Sequence, residues 1–175
     1  MSPAVAGAPE PAADSGTAEL ARVIVELLTA RGESVGVAES LTGGLVAAAL
    51  TSVPGASVVV RGGIVAYATE LKAALLGVPT DLLTRRGPVD PEVAVVMAAG
   101  VRARLGASYG MSTTGVAGPG PADGKPAGTV FIAVDGPSGP VAEGLQLSGD
   151  RQTVRNETVW SVLSLLLSTL REDAG

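Results

Sequence analysis

The chain has 175 residues, of which 46% are hydrophobic, and its formal net charge is −5. This length predicts one domain with a sizeable core, or one domain and a tail. The sequence contains no cysteine and no histidine. Their absence excludes disulfides, thiolate catalysis, Cys/His zinc sites and every Ser-His-Asp arrangement. Lysine and arginine together number twelve and form no basic run, so we expect no nucleic-acid partner.

The apolar segments and the N-terminus indicate where the protein acts. Segments such as 58–60 and 162–167 are far shorter than the roughly 20 residues of a membrane span. The N-terminus lacks a basic region followed by an apolar one. We therefore expect a cytoplasmic protein with no membrane partner. Residues 1–14 are rich in Ala, Pro and Gly, which predicts a disordered tail before a single domain over 15–175. The aliphatic composition favours a homo-oligomer.

The first third of the chain alternates helical and strand patterns. Apolar residues recur at helical spacing over residues 17–32 and predict a helix capped by a glycine. A short apolar run at 35–38 predicts the first strand, and 43–53 predict a second helix. The β-rich pieces 58–60 and 64–66 predict either one kinked strand or two short ones.

Three helical segments are predicted next. Thr69 is a candidate N-cap for a short helix that carries Lys72 and ends near Gly77. Residues 79–83 add another helical turn. Residues 90–105 begin with Asp-Pro-Glu, a strong helix start, and contain an Ala-Ala-Gly step that allows close packing on a sheet.

The last third predicts strands followed by a long helix. Residues 109–114 form a strand, which a loop rich in glycine and proline follows. Residues 128–134 and 141–147 predict an antiparallel hairpin. Asp150 or Ser148 then caps a helix that ends near residue 170. The order of elements predicts a three-layer α/β/α sandwich with a mixed, mostly parallel sheet of about five or six strands.

The segment Glu39-Ser40-Leu41-Thr42-Gly43-Gly44 lies where the first strand meets the second helix. Ligands of open α/β sheets bind at such carboxyl ends of strands. The segment is neither a Gly-x-Ser-x-Gly elbow nor a phosphate loop. Two interpretations remain open. In one, Thr42 caps the helix and Ser40 satisfies backbone groups; in the other, Ser40 is a nucleophile.

A nucleophilic serine in this chain needs a base other than histidine. Lysine is the leading candidate, because desolvation or a nearby cation favours its neutral amine. The chain has two lysines, Lys72 and Lys125. Lys72 lies five residues after Tyr67, so that both can reach the edge of the sheet that carries Ser40; the alternative is an exposed helix lysine. Lys125 is either a solvated loop charge or a gate or anion contact.

Several sequence blocks together resemble the CinA C-terminal domain family. They are Ala38-Glu39-Ser40-Leu41-Thr42-Gly43-Gly44, Gly62-Gly63-Ile64-Val65-Ala66-Tyr67 with Lys72, Thr114-Gly115-Val116-Ala117-Gly118-Pro119, Lys125-Pro126-Ala127-Gly128-Thr129-Val130 and Gly149-Asp150-Arg151. Larger proteins of this family carry a second domain ahead of this one, and we expect that domain to be lacking here. Family members include amidohydrolases that convert nicotinamide mononucleotide to nicotinate mononucleotide and ammonia.

The resemblance implies a role for each matching residue. Ser40 is the nucleophile, Lys72 the general base and Tyr67 a third catalytic partner. The N–H groups of Thr42, Gly43 and Gly44 hold the oxyanion, and Glu39 faces the pyridinium ring. The remaining substrate-binding residues, including candidates for the phosphate, are Thr114, Gly115, Gly118 and Arg151. The resemblance implies a nucleotide substrate. We expect no cofactor and no metal, since the sequence has no dense Asp/Glu motif that would hold a magnesium ion.

The sequence also departs from the family pattern. The family commonly has Asn two residues after the tyrosine, where this chain has Thr69, and its loop has Gly-Gly and Glu where this chain has Pro121-Ala122 and Gly124. These changes leave the catalytic trio intact and bear on substrate preference. The alternative function is a non-catalytic nucleotide-binding or partner-binding module of the same fold.

Overall fold

A computed structural model describes residues 15–174, so the tail predicted for residues 1–14 lies outside the described residues. The described chain contains five strands, six α-helices and a short 3₁₀ helix over Ala56–Val58. The strands are β1 (Val35–Glu39), β2 (Val60–Val65), β3 (Tyr109–Gly115), β4 (Thr129–Gly136) and β5 (Gly139–Gln146). The helices are α1 (Ser15–Arg31), α2 (Leu45–Thr51), α3 (Thr69–Leu76), α4 (Thr80–Arg86), α5 (Pro91–Leu105) and α6 (Arg151–Glu172).

The five strands form one mixed sheet in the order β2-β1-β3-β4-β5. β1 pairs in parallel with both neighbours, and its Val37 lies opposite Gly63 of β2 and Met111 of β3. β4 runs antiparallel to β3 and to β5, so β4 alone opposes the direction of the other described strands. The prediction of a mixed, mostly parallel sheet is therefore confirmed, as is the antiparallel hairpin.

Helices cover both faces of the sheet. On one face α1, α2 and α6 enclose the larger apolar cluster, which includes Ile24, Val46 and Leu166. On the other face α3, α4 and α5 enclose a smaller cluster. The predicted three-layer α/β/α sandwich is confirmed. No helix within residues 15–174 combines the length and the apolar character that a membrane crossing needs.

Side chains along β1 alternate between these two layers, because successive residues of a strand point to opposite faces. Val35 and Val37 belong to the cluster under α1 and α6, and Ala38 belongs to the cluster under α3 to α5. A Cβ on Gly36 would lie 3.0 Å from Leu105 of α5. The same alternation sends the next two side chains, Glu39 and Ser40, to opposite faces.

Two local predictions differ from the structure. Of the two alternatives for residues 58–66, the single strand is the correct one, but it begins at Val60, because Val58 lies in the 3₁₀ helix. Thr69 does not cap α3: Ala68 occupies the N-cap position with no side-chain hydrogen bond, and Thr69 is the first helical residue. The predicted end of α3 at Gly77 is confirmed by its φ of 71°.

Helix α5 packs closely on both the sheet and α3. A Cβ on Gly110 of β3 would lie 2.1 Å from the Ala98 carbonyl oxygen, so this contact requires glycine. A Cβ on Gly100 would lie 1.9 Å from the Leu76 carbonyl oxygen of α3. The Ala-Ala-Gly step thus packs on the sheet through Ala98, as predicted, and through Gly100 it also sets the position of α3.

Candidate active site

Ser40 follows β1 at the carboxyl edge of the parallel strands. Its N–H donates to the Thr113 carbonyl of β3 at 3.1 Å, which fixes the backbone where the strand ends. Only 9% of the residue is exposed. Its side chain lies on the α3 side of the sheet, as the alternation along β1 requires.

Lys72 reaches Ser40 from α3. Its Nζ lies 3.0 Å from the Ser40 Oγ and donates to the Ala66 carbonyl at 2.9 Å. The lysine is 1% exposed, so the alternative of an exposed helix lysine is wrong. Burial lowers its pKa to about 8, and the Asp123 carboxylate acts weakly in the opposite direction. A buried lysine of this kind has a reachable neutral form that accepts a proton.

Ser40 and Lys72 lie in the wall of a cavity of about 340 Å³. This volume falls within the roughly 300–1,000 Å³ of small-molecule sites. The end of β3 and the loop that follows it together supply more than half of the lining residues, and α6 contributes Arg151. The predicted residues Thr114, Gly115 and Gly118 all line it. The Thr114 hydroxyl donates to the Pro88 carbonyl at 2.7 Å, so this part of the wall is anchored to the segment before α5.

Arg151 joins the two sides of the cavity. Its guanidinium donates to the Tyr67 hydroxyl at 2.7 Å and to the Gly118 carbonyl at 2.8 Å. Tyr67 also lines the cavity and is 59% exposed. The Tyr67 hydroxyl therefore meets the arginine, whereas Ser40 and Lys72 bond each other.

The structure corrects the expectation that Glu39 faces the substrate. Glu39 is 1% exposed, and its carboxylate accepts the N–H groups of Gly44, Val46 and Ala47 at 3.0, 3.1 and 2.9 Å. The carboxylate thus caps α2 on the face opposite Ser40. The physical reason is the two-residue alternation along a strand, which separates adjacent side chains.

The predicted oxyanion donors Gly43 and Gly44 are also corrected. The Gly43 N–H donates to the Ser40 carbonyl at 3.1 Å, and the Gly44 N–H is held by Glu39. The Thr42 hydroxyl bonds the Thr113 hydroxyl at 2.8 Å, so it does not cap α2. The N–H groups of Leu41 and Thr42 have no acceptor among residues 15–174.

Arg155 supports this turn and was missed from the sequence. Its Nε donates to the Leu41 carbonyl at 3.0 Å and its Nη2 to the Thr42 carbonyl at 3.1 Å. It lies one helical turn after Arg151 on α6, a spacing that places both on one face. This spacing is the feature of the sequence from which Arg155 could have been predicted as a site residue.

Asp123 was likewise not predicted as a site residue, although its neighbour Lys125 was considered. Asp123 lines the cavity, whereas Lys125 is half-buried and does not. Both belong to a short turn that closes the loop. Across the described part of the chain, no group of three or more acidic residues is placed to hold a metal ion.

Fold and site together define an α/β/α domain with a buried serine–lysine pair in a cleft at the carboxyl edge of its sheet. The chain belongs to the CinA family, since the model of the CinA C-terminal domain matches residues 17–170. A CinA-like protein of Frankia casuarinae is 54% identical over 82% of this chain and 33% of that protein. One from Anaeromyxobacter sp. strain K is 48% identical over 89% of this chain and 38% of its own length. The chain thus spans about a third of the curated relatives it matches.

Solved structures show the same fold. The competence/damage inducible protein CihA of Agrobacterium tumefaciens superposes with a TM-score of 0.88 at 36% identity, covering 92% of this chain and 99% of that one. A CinA superfamily protein of Escherichia coli gives a TM-score of 0.84 at 31% identity, covering 90% and 92%.

Proposed function

We propose that this domain is an amidohydrolase that converts nicotinamide mononucleotide to nicotinate mononucleotide and ammonia. The observation that carries the proposal is the 3.0 Å contact between the Lys72 Nζ and the Ser40 Oγ. A nucleophile and a base at this separation in a cleft are the minimum needed for acyl transfer.

The pKa of Lys72 suits it to act as the base. With a pKa of about 8, roughly a tenth of the lysine is neutral at pH 7, against less than 0.1% for an ordinary lysine. The neutral amine keeps a hydrogen for the Ala66 carbonyl and offers its lone pair to the Ser40 hydroxyl. Desolvation by the surrounding protein thus creates the base.

The reaction follows in two halves. Ser40 attacks the carboxamide carbon while its proton passes to Lys72. The tetrahedral intermediate collapses, the carbon–nitrogen bond breaks, and Lys72 gives its proton to the leaving group, which departs as ammonia. Lys72 next takes a proton from water, and the resulting hydroxide attacks the acyl–serine ester. The bond between the acyl carbon and the Ser40 Oγ then breaks, Lys72 returns its proton to this oxygen, and the product acid leaves with the Ser40 hydroxyl restored.

The intermediate's oxyanion needs nearby donors. We assign this role to the N–H groups of Leu41 and Thr42, which have no acceptor in the described chain. Arg155 binds the Leu41 carbonyl, which belongs to the same peptide group as the Thr42 N–H. The peptide group of the Leu41 N–H is held through its Ser40 carbonyl, which accepts the Gly43 N–H at 3.1 Å. Donors fixed before the reaction need no reorganisation when charge develops.

The remaining cavity residues position the nucleotide. Arg151 offers a cation for the phosphate, since a guanidinium retains donors beyond the two it uses here. Tyr67, which contacts Arg151 rather than Ser40, serves in this proposal to place the substrate, with Thr114, Gly115 and Gly118 forming the opposite wall.

Ammonia release from nicotinamide mononucleotide tests the proposal. The wild type should release ammonia and the carboxylate product in equal amounts, and Ser40→Ala and Lys72→Met should abolish both. Ser138→Ala is a matched control, because this exposed serine lies in the turn between β4 and β5 at the opposite edge of the sheet. No turnover by the wild type, or full turnover by Ser40→Ala, overturns the proposal. Calorimetric binding without product would favour the non-catalytic nucleotide-binding module.

A further inference from the structure

A two-residue turn places one carboxylate in the wall of the cavity. Ala122 and Lys125 exchange backbone hydrogen bonds of 3.1 and 2.9 Å. Between them Asp123 and Gly124 have φ values of 51° and 71°. Positive φ at both central residues defines a type I′ turn, for which Asp-Gly is a preferred pair. The turn therefore holds Asp123 at a defined position at the tip of the loop.

Asp123 differs in charge from the other ionised side chains of the cavity. Lys72 and Arg151 are the cations of the wall, and both already bond neutral oxygen atoms. Within residues 15–174, Asp123 supplies the one carboxylate of the wall and forms neither an ion pair nor a side-chain hydrogen bond. Its field reaches the base, since the Asp123 charge partly offsets the lowering of the Lys72 pKa by burial.

We propose that Asp123 is a specificity-determining residue that recognises the positive charge of the substrate's aromatic ring. The inference rests on the proposed function, because it concerns the same cavity and the same class of ligand. A pyridinium amide carries its charge on the ring that bears the carboxamide, so that charge must lie near Ser40 when the carboxamide does. Glu39 cannot provide the matching anion, since its carboxylate caps α2 on the other face of the sheet.

The charge contribution can be isolated with two ligands of one shape. Nicotinamide mononucleotide has a cationic ring, whereas its 1,4-dihydro form keeps the carboxamide, ribose and phosphate on an uncharged ring. Calorimetry is done in the Ser40→Ala background, where no ligand is consumed. Adding Asp123→Asn should weaken binding of the cationic ligand about fivefold and of the neutral ligand less than twofold, as expected for a charge pair about 5 Å apart in a solvated cleft.

Glu143→Gln is the matched control, since it removes one exposed carboxylate from β5, which lies two strands from β3, and Glu143 does not line the cavity. It should change neither affinity. Equal weakening of both ligands by Asp123→Asn, no weakening of either, or no binding of either ligand to Ser40→Ala overturns the inference. A wild type that releases no ammonia, combined with selective weakening by Asp123→Asn, overturns the proposed function and supports the role of Asp123.

Discussion

Replacing Lys72 with Met should make the fold more stable at neutral pH. Burial lowers the pKa of Lys72 to about 8, against roughly 10.4 for a lysine in an unfolded chain. At about 1.4 kcal/mol per pKa unit, the buried ammonium costs about 3 kcal/mol at pH 7. Methionine removes this cost and loses the hydrogen bonds to Ser40 and Ala66, worth about 1 kcal/mol each. The variant should therefore be about 1 kcal/mol more stable than wild type.

The sign of the difference should reverse in alkali. Between the folded pKa and the unfolded pKa, the unfolded chain binds more protons than the folded one, so wild-type stability rises with pH. The cost is fully present well below pH 8 and falls to about half near pH 9.2, midway between the two pKa values. The Met variant lacks the titrating group, so its advantage should vanish and then become a deficit as pH rises through this window.

Urea unfolding of both proteins at pH 7, 8, 9 and 9.5 measures this change. Other groups titrate in the same range, but they are present in both proteins and cancel in the difference. Tyr109 is an example: burial and its bond to Asp173 raise its pKa to about 12 in the folded protein, so only the unfolded chain begins to lose this proton near pH 9.5, and it does so in both proteins. A difference that stays constant from pH 7 to 9.5 would refute the reasoning, because it would mean that Lys72 titrates alike in both states.

Three further predictions concern the same machinery. In the proposed mechanism neutral Lys72 is the base, so the kcat/KM for ammonia release should rise with pH, with an apparent pKa near 8, and then level off. A flat pH profile of kcat/KM from pH 6 to 9 would contradict this. Glu39→Gln should lower the free energy of unfolding in urea by about 3 kcal/mol, because an amide nitrogen cannot accept the N–H groups that the carboxylate accepts; an unchanged midpoint would argue against the cap. Gly100→Ala should lower the free energy of unfolding by about 2 kcal/mol and reduce turnover, since a Cβ would meet the Leu76 carbonyl and displace α3. Ala99→Ser, at the exposed neighbouring position, should change neither. Equal effects of the two substitutions would refute the steric argument.

The order of elements could be predicted because its signals are local. Asp90 and Asp150 cap α5 and α6, as their positions before periodic segments indicated. The position of Thr69 could not be fixed in the same way, because whether a residue is the cap or the first helical residue depends on backbone angles at Ala68. The start of β2 could not be predicted for a similar reason. Val58 and Val60 have the same β propensity, and pairing with the neighbouring strand determines which of them begins β2.

The pairing of Ser40 with Lys72 could be predicted because elimination left few bases and both residues follow strand ends. Glu39 was misplaced because its chemistry was considered without its strand position, although a neighbour of Ser40 in an extended strand must face the other way. Asp123 could not be placed from sequence. Its location depends on the path of a long loop, which local propensity does not determine.

The alternation that places Glu39 and Ser40 on opposite faces of the sheet also explains how the backbone around the serine is held. The end of β1 is bound from both layers: Lys72 holds the Ser40 hydroxyl on one face, and Glu39 ties the strand to α2 on the other. Arg155 of α6 fixes the turn that follows. Orientation within a few tenths of an ångström requires support of this kind around a reactive group. In the proposed reaction, a buried carboxylate that does not line the cavity would therefore contribute by fixing the backbone on either side of Ser40.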